Sequence, residues 1–506
     1  MIPGAMSKTT GRLALSLVIL FTPAPALADE VDDLRAELAA LRADYDRRIE
    51  SLEKRLTDLT AAHDHAAATA AESKAIAEQA KENADEAKNV ANETKRKLAE
   101  YATTPYFDTL EGGVARGFEF HGYLRSGFGL NERGEAQADF RIPYSLGHYR
   151  LGNEPGTYGE FAFVQNWINP DRSSDKAWFK TEVMVSAETL NIQSYDPSSI
   201  FRLREAFGQA GNILEGRWRP TKFWAGDRYY QRQDIYVLDY FIRDMSGYGG
   251  GIESLPIGSA TVDIAYIGAL EPSADYAYFN AAKSTIDIRA AKIKVPGGRA
   301  AFWYDYAFAK QEQVIDNVTI PSAGGNAIGF EHRRDEFLGG YHLFTFQAAG
   351  GAASNLSPSL QPPTPYWRDS RRYTITDSAV LQWNERFAIQ PVGGVTWYKR
   401  GNPGESYYRW LTFGARPVYY FNKYFSFATE IGIENVAAPT GQNGWLRKLS
   451  FAPQISPKPE FFSRPVLRAF LTLANWSPTL QGIVGGPAYA NRTTGLSAGL
   501  QVESWW

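Results

Sequence analysis

Three short runs of the sequence set an aromatic ring and hydrogen-bonding groups two or four residues apart: Tyr123 with Arg125, Tyr158 with Glu160, and Trp505 with Glu503 and Gln501. On a strand, side chains at i and i+2 leave the same face. Each run therefore presents an apolar ring beside a polar or charged group on one surface. Such a surface makes no covalent bonds. It suits reversible contact with a wet solute that has both apolar faces and polar edges. Groups for covalent chemistry are missing. The six histidines are scattered, no Ser and His stand at a suggestive spacing, no metal ligands cluster, and there is no phosphate-binding loop. The chain is expected to be no enzyme and to use no cofactor and no metal.

The elements that must carry these rings are strands, because the period beyond residue 117 is two. Phe118, Phe120, Leu124, Phe128 and Leu130 fall on one face, and Glu119, His121, Tyr123, Arg125 and Gly127 on the other. Val262, Ile264 and Tyr266 alternate with Thr261, Asp263 and Ala265. Phe302, Tyr304, Tyr306 and Phe308 alternate with Trp303, Asp305 and Ala307, after the turn Val295-Pro296-Gly297-Gly298. Leu467, Ala469, Leu471 and Leu473 alternate with Arg468, Phe470 and Thr472. A soluble sandwich also alternates, with its greasy face inward. Here the polar face holds Glu, Arg and Asp among aromatics, which suits a wet lumen, and the greasy face suits lipid. In lipid every backbone group must be paired, so such strands must close into a barrel. The last strand, Leu496 to Trp506, alternates in the same way and stops on an aromatic residue.

The start of the chain points to export. Lys8 and Arg12 precede an apolar run, Leu13 to Phe21, and a small-x-small site follows at Ala26-Leu27-Ala28. The run is too short to span a bilayer. Residues 1–28 are therefore expected to be a cleaved signal peptide. No other segment approaches about 18 consecutive apolar residues, so no transmembrane helix is expected. The chain has no cysteine and must rely on backbone pairing and packing. A formal net charge of -3 gives no strong pull toward nucleic acid or anionic lipid, and no nucleic-acid partner is expected. An aromatic content of 14% with 45 glycines fits a membrane barrel, and equally a large secreted β-protein.

Between these ends lies a segment nearly free of Gly and Pro, Val31 to Tyr101. Leu34, Leu38, Leu41 and Tyr45 recur at spacings of four and three; the phase slips once, and from Ile49 through Leu52, Leu56 and Leu59 to Leu98 and Tyr101 one heptad frame holds. This predicts a coiled coil over 29–104, with a Leu-rich first half and a weaker Ala-rich second half. It would reach roughly 100 Å if continuous. A linker at 105–117, marked by Gly112, Gly113 and Gly117, leads into a barrel region over 118–506.

Several blocks resemble the maltoporin family of sugar porins. They are Phe120-His121-Gly122-Tyr123-x-Arg125-Ser126-Gly127, Tyr149-Arg150-Leu151-Gly152-Asn153-Glu154, Thr157-Tyr158-x-Glu160, and Trp224-Ala225-Gly226-x-Arg228-x-Tyr230-Gln231-Arg232-x-Asp234. Gly414-x-Arg416-Pro417, Glu430-x-Gly432, Asn435-Val436, Ser463-Arg464-Pro465-x-x-Arg468 and the closing Trp505-Trp506 follow in order. The resemblance spans roughly residues 118 to 506, with gaps in the middle. The helical extension is similar to the sucrose-porin branch.

The resemblance implies an all-β transmembrane antiparallel barrel of about eighteen strands, assembled as a homotrimer in the bacterial outer membrane with the coil in the periplasm. Its third loop is expected to fold inward and form the constriction. A sugar would move along an aromatic slide of Tyr123, Tyr158, Trp410 and Trp505, with two more positions in gaps: Tyr195, on a loop that serves the neighbouring subunit, and Phe330, preferred as the aromatic one to Ile328 of the same parity. Arg125, Arg150, Glu160, Arg204, Arg232, Asp239 and Asp244, with Asp234, would form the polar tracks; the alternative is a salt-bridge lattice that holds the third loop to the wall. One departure stands out. The family's constriction tyrosine aligns with Phe241, which keeps the bulk and loses the hydroxyl. The rival reading is a general diffusion porin with the coil as a peptidoglycan tether.

Overall fold

The chain divides into two units, Met1–Thr109 and Leu110–Trp506. The computed structural model describes residues 117–172, 175–189, 199–272, 279–309, 313–315, 318–359 and 366–506, together with some residues between 37 and 81. The signal segment 1–28, the linker up to 116, Tyr195 and most heptad positions beyond residue 60 lie outside the described residues.

In the first unit, every described residue between 37 and 60 is helical. Leu38, Leu41, Ile49, Leu52, Leu56 and Leu59 are all more than half exposed, so the heptad seam is bare on this single chain.

The second unit is an 18-stranded sheet in which each strand pairs with the next along the chain. The first strands are β1 (Phe118–Asn131), β2 (Gly156–Ile168), β3 (Trp178–Thr189), β4 (Ser199–Gly211) and β5 (Lys222–Arg228). A short hairpin of β6 (Gln233–Ile235) and β7 (Tyr240–Arg243) precedes the next wall strand, β8 (Gly247–Ile257). The final strand, Thr494–Trp505, pairs antiparallel with β1, with Tyr123 opposite Trp505 and Arg125 opposite Glu503. The sheet is thus a closed antiparallel barrel with no free edge. No described helix is long and apolar enough to cross a membrane.

The predicted alternation holds strand by strand, with the sense of a membrane protein. Phe302, Tyr304 and Tyr306 are exposed, while Ala301, Trp303, Asp305 and Ala307 are buried. On Val466–Trp476 burial alternates at every residue, with Leu467, Leu471 and Leu473 outside and Arg468, Phe470 and Thr472 inside. Buried charges such as Lys283, Asp287 and Glu430 face inward, while Phe, Leu, Ile and Tyr make up much of the bare outer wall. That inversion excludes a soluble sandwich, whose apolar face would be the hidden one. The turn read at Pro296-Gly297 joins Phe279–Val295 to Gly298–Ala309, with Gly297 at φ 77°.

Connections are short at one end, as at 258–259, 338–339 and 385–386, and long at the other, as at 132–155, 229–246 and 477–493. At least three of the long ones pack inward, 477–493 through Leu480, Val484 and Tyr489. Phe140, Ile142, Tyr149 and Leu151 from the first, and Tyr236, Leu238, Tyr240 and Ile242 from the third, share one apolar core with Val392, Trp410, Val418, Val436, Leu446 and Trp476 of the wall. The inserted segments also touch each other: His148 N–H donates to Leu238 O (2.7 Å) and Arg150 N–H to Val237 O (3.2 Å). They fill the lumen against wall strands between residues 279 and 476. The open passage is left on the side of β1 to β4.

Candidate functional site

On this side lies a cavity of about 630 Å³. Tyr123, Arg125, Tyr158, Glu160, Glu188, Arg204 and Trp505 reach it from the wall, and Arg150, Arg232, Asp234, Tyr236, Asp239 and Phe241 from the inserted segments. Tyr341 and Phe462 complete it.

Strand register explains the wall residues. Tyr123 lies opposite Glu160 on β2, and Arg125 opposite Tyr158. Directly opposed residues share a face, so the rings and charges of β1, β2 and the final strand converge. The Tyr123 and Tyr158 rings are 6.2 Å apart. Tyr158 Oη donates to Glu160 Oε1 (2.6 Å), as does Tyr229 Oη (2.9 Å). Arg204 Nε donates to Ser186 Oγ (2.9 Å), and its Nη2 reaches Tyr158 Oη at 3.5 Å.

The inserted residues are held as firmly. Arg150 donates to Tyr123 Oη (2.9 Å) and to Glu154 Oε2 (3.0 Å), and lies 3.3 Å from Glu503. Arg125 pairs with Glu154 at 2.6 Å. Arg232 is clamped between the rings of Tyr229 and Phe241, 4.0 Å from each centroid, and pairs with Asp244 at 3.3 Å. Tyr236 donates to Glu503 Oε2 (2.5 Å), with Arg150 4.7 Å from its ring centre. Trp505 lies 6.1 Å from Tyr236 and 6.3 Å from Phe462 by ring centre, with Arg464 over its face at 4.0 Å. Asp234 is open to the cavity, but the protein packed around it displaces water and pushes its carboxyl above the usual range, and nearby Arg150 and Arg232 only partly oppose this.

The lining balances its charges: Arg125, Arg150, Arg204 and Arg232 face Glu160, Glu188, Asp234 and Asp239. Polar groups and ring faces alternate around it, and no residue is set up as a nucleophile with a base. His148, Glu154 and Asp239 bring ligand-type atoms within 4.8 Å of one another. Arg125 and Arg150 already occupy the Glu154 carboxylate that a cation would need.

The structure brings together Tyr123, Tyr158, Trp505, Arg125, Arg150, Glu160, Arg204, Arg232, Asp234, Asp239 and Phe241 of the residues read from the sequence. Asp244 stands behind Arg232 and also accepts from Ser246 N–H (3.0 Å). Two residues need correction. Phe330 points outward: its ring packs on Phe302 of the outer wall at 5.1 Å, and its neighbour Glu331 is the buried, inward residue. It shares parity with Ile328, which is also outside. Trp410 does point inward, but the inserted segments cover it. It is buried, donates to Glu434 Oε1 (2.9 Å) and meets Tyr240 edge-on at 5.6 Å, away from the cavity lining. Tyr195 lies outside the described residues. Sequence reasoning missed Glu188, Tyr236, Tyr341 and Phe462. Phe462 immediately precedes the Ser463-Arg464-Pro465 block but sits in a turn, where no two-residue period marks it.

Comparison with known proteins places a family model described as LamB porin on residues 118–506. Among solved structures, the chain is similar in fold to a BenF-like porin from Pseudomonas fluorescens Pf-5, at 10% identity and a TM-score of 0.44, over 77% of this chain and 98% of that one. It is similar to Pseudomonas aeruginosa OccK9 (OpdG) at 9% identity and a TM-score of 0.42, over 77% and 98% of the two chains. An anion-selective porin from Comamonas acidovorans matches at 9% identity and a TM-score of 0.40, over 77% and 99%.

Proposed function

Since the chain belongs to the LamB porin family across residues 118–506, we propose that this outer-membrane channel gives saturable, passive passage to a neutral mono-, di- or oligosaccharide. The observation that carries this reading is the charge-balanced, ring-lined cavity. A lumen of one sign concentrates counter-ions. Four arginines against four carboxylates favour no ion strongly, yet offer many donors and acceptors to hydroxyls. Tyr123, Tyr158, Tyr236, Trp505 and Phe462 give flat surfaces for the apolar faces of a pyranose. Stacking is weakly directional, so the solute can step from ring to ring, and conduction needs sites weak enough to leave.

Phe241 supplies bulk without a hydroxyl, and Arg232 covers one face of its ring. This favours a substrate other than a maltodextrin. With the helical extension, it supports a place near the sucrose-porin branch. The coil would lie in the periplasm, with peptidoglycan as its candidate partner. A homotrimer is supported by the outer wall of β1 to β3. There Ser126, Thr157, Gly159, Ala187 and Thr189 form a patch of small and hydroxyl side chains, and Ser126 and Thr157 are hydrogen-bonded at 2.7 Å. Such a patch suits a second copy better than lipid.

Conductance of the purified channel in planar bilayers, titrated with a panel of sugars at fixed salt, tests the function. Saturable block by particular sugars is expected and ranks them. Conductance indifferent to every sugar would leave a general diffusion porin.

A further inference from the structure

Arg150 is the one cavity arginine that belongs to the first inserted segment, and that segment has no regular strand to fix it. Its neighbours take over that task. The segment is extended enough that Tyr149 and Leu151 face the wall while Arg150 faces the lumen. Lys448 Nζ donates to Tyr149 O and to Leu151 O, both at 2.7 Å, so it grips the carbonyls on either side of Arg150. Glu430 Oε1 accepts Leu151 N–H at 2.9 Å and lies 3.0 Å from Lys448 Nζ. Arg416 Nε holds the other Glu430 oxygen at 2.7 Å.

The Tyr149 side chain adds a steric key. Its ring lies over Gly414 and Gly432 on adjacent wall strands, where those residues are directly paired. A Cβ at Gly432 would collide with the ring carbons, and one at Gly414 would meet the ring and the phenol oxygen. Thr412 Oγ1 donates to that phenol oxygen at 3.1 Å. Neither glycine has a positive φ. Their small size serves the close approach of the ring rather than a special backbone shape.

We infer that Tyr149, seated on Gly414 and Gly432 and clamped by the Lys448–Glu430 pair, is a positioning residue that sets the place of the Arg150 guanidinium in the cavity. Glu430 and Gly432 are not among the cavity's lining residues; Glu430 acts through the backbone at Leu151 and Gly432 through the Tyr149 ring, while Arg416 also lies 5.1 Å from the ring centre of cavity residue Tyr236. The wall opposite the open passage thereby determines where one of the four cavity arginines stands.

Gly432→Ala tests this, because it adds one methyl and no charge. The full chain is studied in planar bilayers. The reversal potential under a KCl gradient reads the Arg150 charge, and half-saturating block by sucrose or maltotriose reads the site. Heat-dependent migration on gels checks that the barrel is folded. Arg150→Gln is expected to move the reversal potential toward cation preference. Gly432→Ala should move it in the same direction by at least half as much, and should add nothing in the Arg150→Gln background. A folded Gly432→Ala channel with wild-type reversal potential overturns the proposal. So does an equal shift with and without Arg150, which would mean that the wall acts by another route. If Gly432→Ala does not fold, Thr412→Val decides by the same readouts: a smaller shift in the same direction supports the proposal, and none overturns it. The reversal potential needs no sugar. Indifference to every sugar of the panel alongside the expected shifts would therefore sink the sugar reading and leave this one standing.

Discussion

Glu503 shows how tightly single residues are bound in beside the cavity. It accepts from Tyr123 Oη (3.2 Å) and Tyr236 Oη (2.5 Å), and pairs with Arg464 (2.8 Å) and Arg468 (3.1 Å). Two residues along, Trp505 keeps a ring at the cavity. Trp505→Ala should weaken sugar block about tenfold, corresponding to about 1.4 kcal/mol, with ion conductance kept or raised. Trp410→Ala should leave the half-saturating sugar concentration far less changed, because covered Trp410 presents no face to the lumen; equal losses in the two would refute the placement of the site. Asp234 gives a second expectation. The protein enclosing it raises the carboxyl pKa although the side chain faces the cavity, so falling pH removes this charge before that of an ordinary carboxylate. The lining then carries an excess of positive charge, and cation preference falls. Reversal potentials across a pH series should show this drop in the wild type, while Asp234→Asn starts lower and lacks the early part of the titration. Superimposable titrations would remove Asp234 from the account. At this scale the sequence was most legible on strands. Parity put Tyr123, Arg125, Tyr158, Glu160 and Trp505 on the inward face without any structure. Trp410 is placed on the path by the resemblance alone; it does take the inward face, but the inserted segments cover it, and a resemblance of strands does not say what covers them. In a gap of the resemblance, Phe330 is preferred to Ile328 of the same parity because it is aromatic, and both face outward.

At the scale of elements, the alternating strands and the Pro296-Gly297 turn were legible, and the routes of the long connections were not. Strands obey a local steric rule, whereas an inward loop is decided by partners far along the chain. The β6–β7 hairpin illustrates this. Arg243 on β7 pairs with Asp305 (3.2 Å) and with Asp287, both buried in the wall, and Gln347 Nε2 donates to Ile242 O (2.7 Å). None of these partners is adjacent in sequence or marked by spacing. Removing one member of a buried ion pair costs about 3–5 kcal/mol, mostly through the charge left behind. Arg243→Met should therefore release the hairpin, giving a noisier open-channel current and weaker sugar block in a barrel that still inserts. Adding Asp287→Asn and Asp305→Asn should recover part of the urea midpoint lost by Arg243→Met, since no orphaned carboxylate then remains. A triple variant less stable than Arg243→Met would show that the carboxylates have other work in the wall.

For the whole molecule, composition and period together indicated a membrane barrel, and the closed sheet agrees. The heptads indicated a helix, and the described residues up to 60 are helical. The two units invite a direct test. The wall and every described cavity residue lie within 118–506, so deleting Val31 to Tyr101 should leave a conducting, sugar-blocked channel. Loss of assembly in that variant would make the coil a trimerisation device. The seam between β1 and the final strand has a consequence for the order of events during biogenesis. Tyr123 and Glu503 are 380 positions apart along the chain, yet they hydrogen-bond across that seam. Contacts of such long range form late, because the loop they close is costly in entropy. The recognition surface therefore does not exist in a growing or half-inserted chain. It is completed by the same event that removes the last open strand edge, so competence to bind solute reports that the ring has shut.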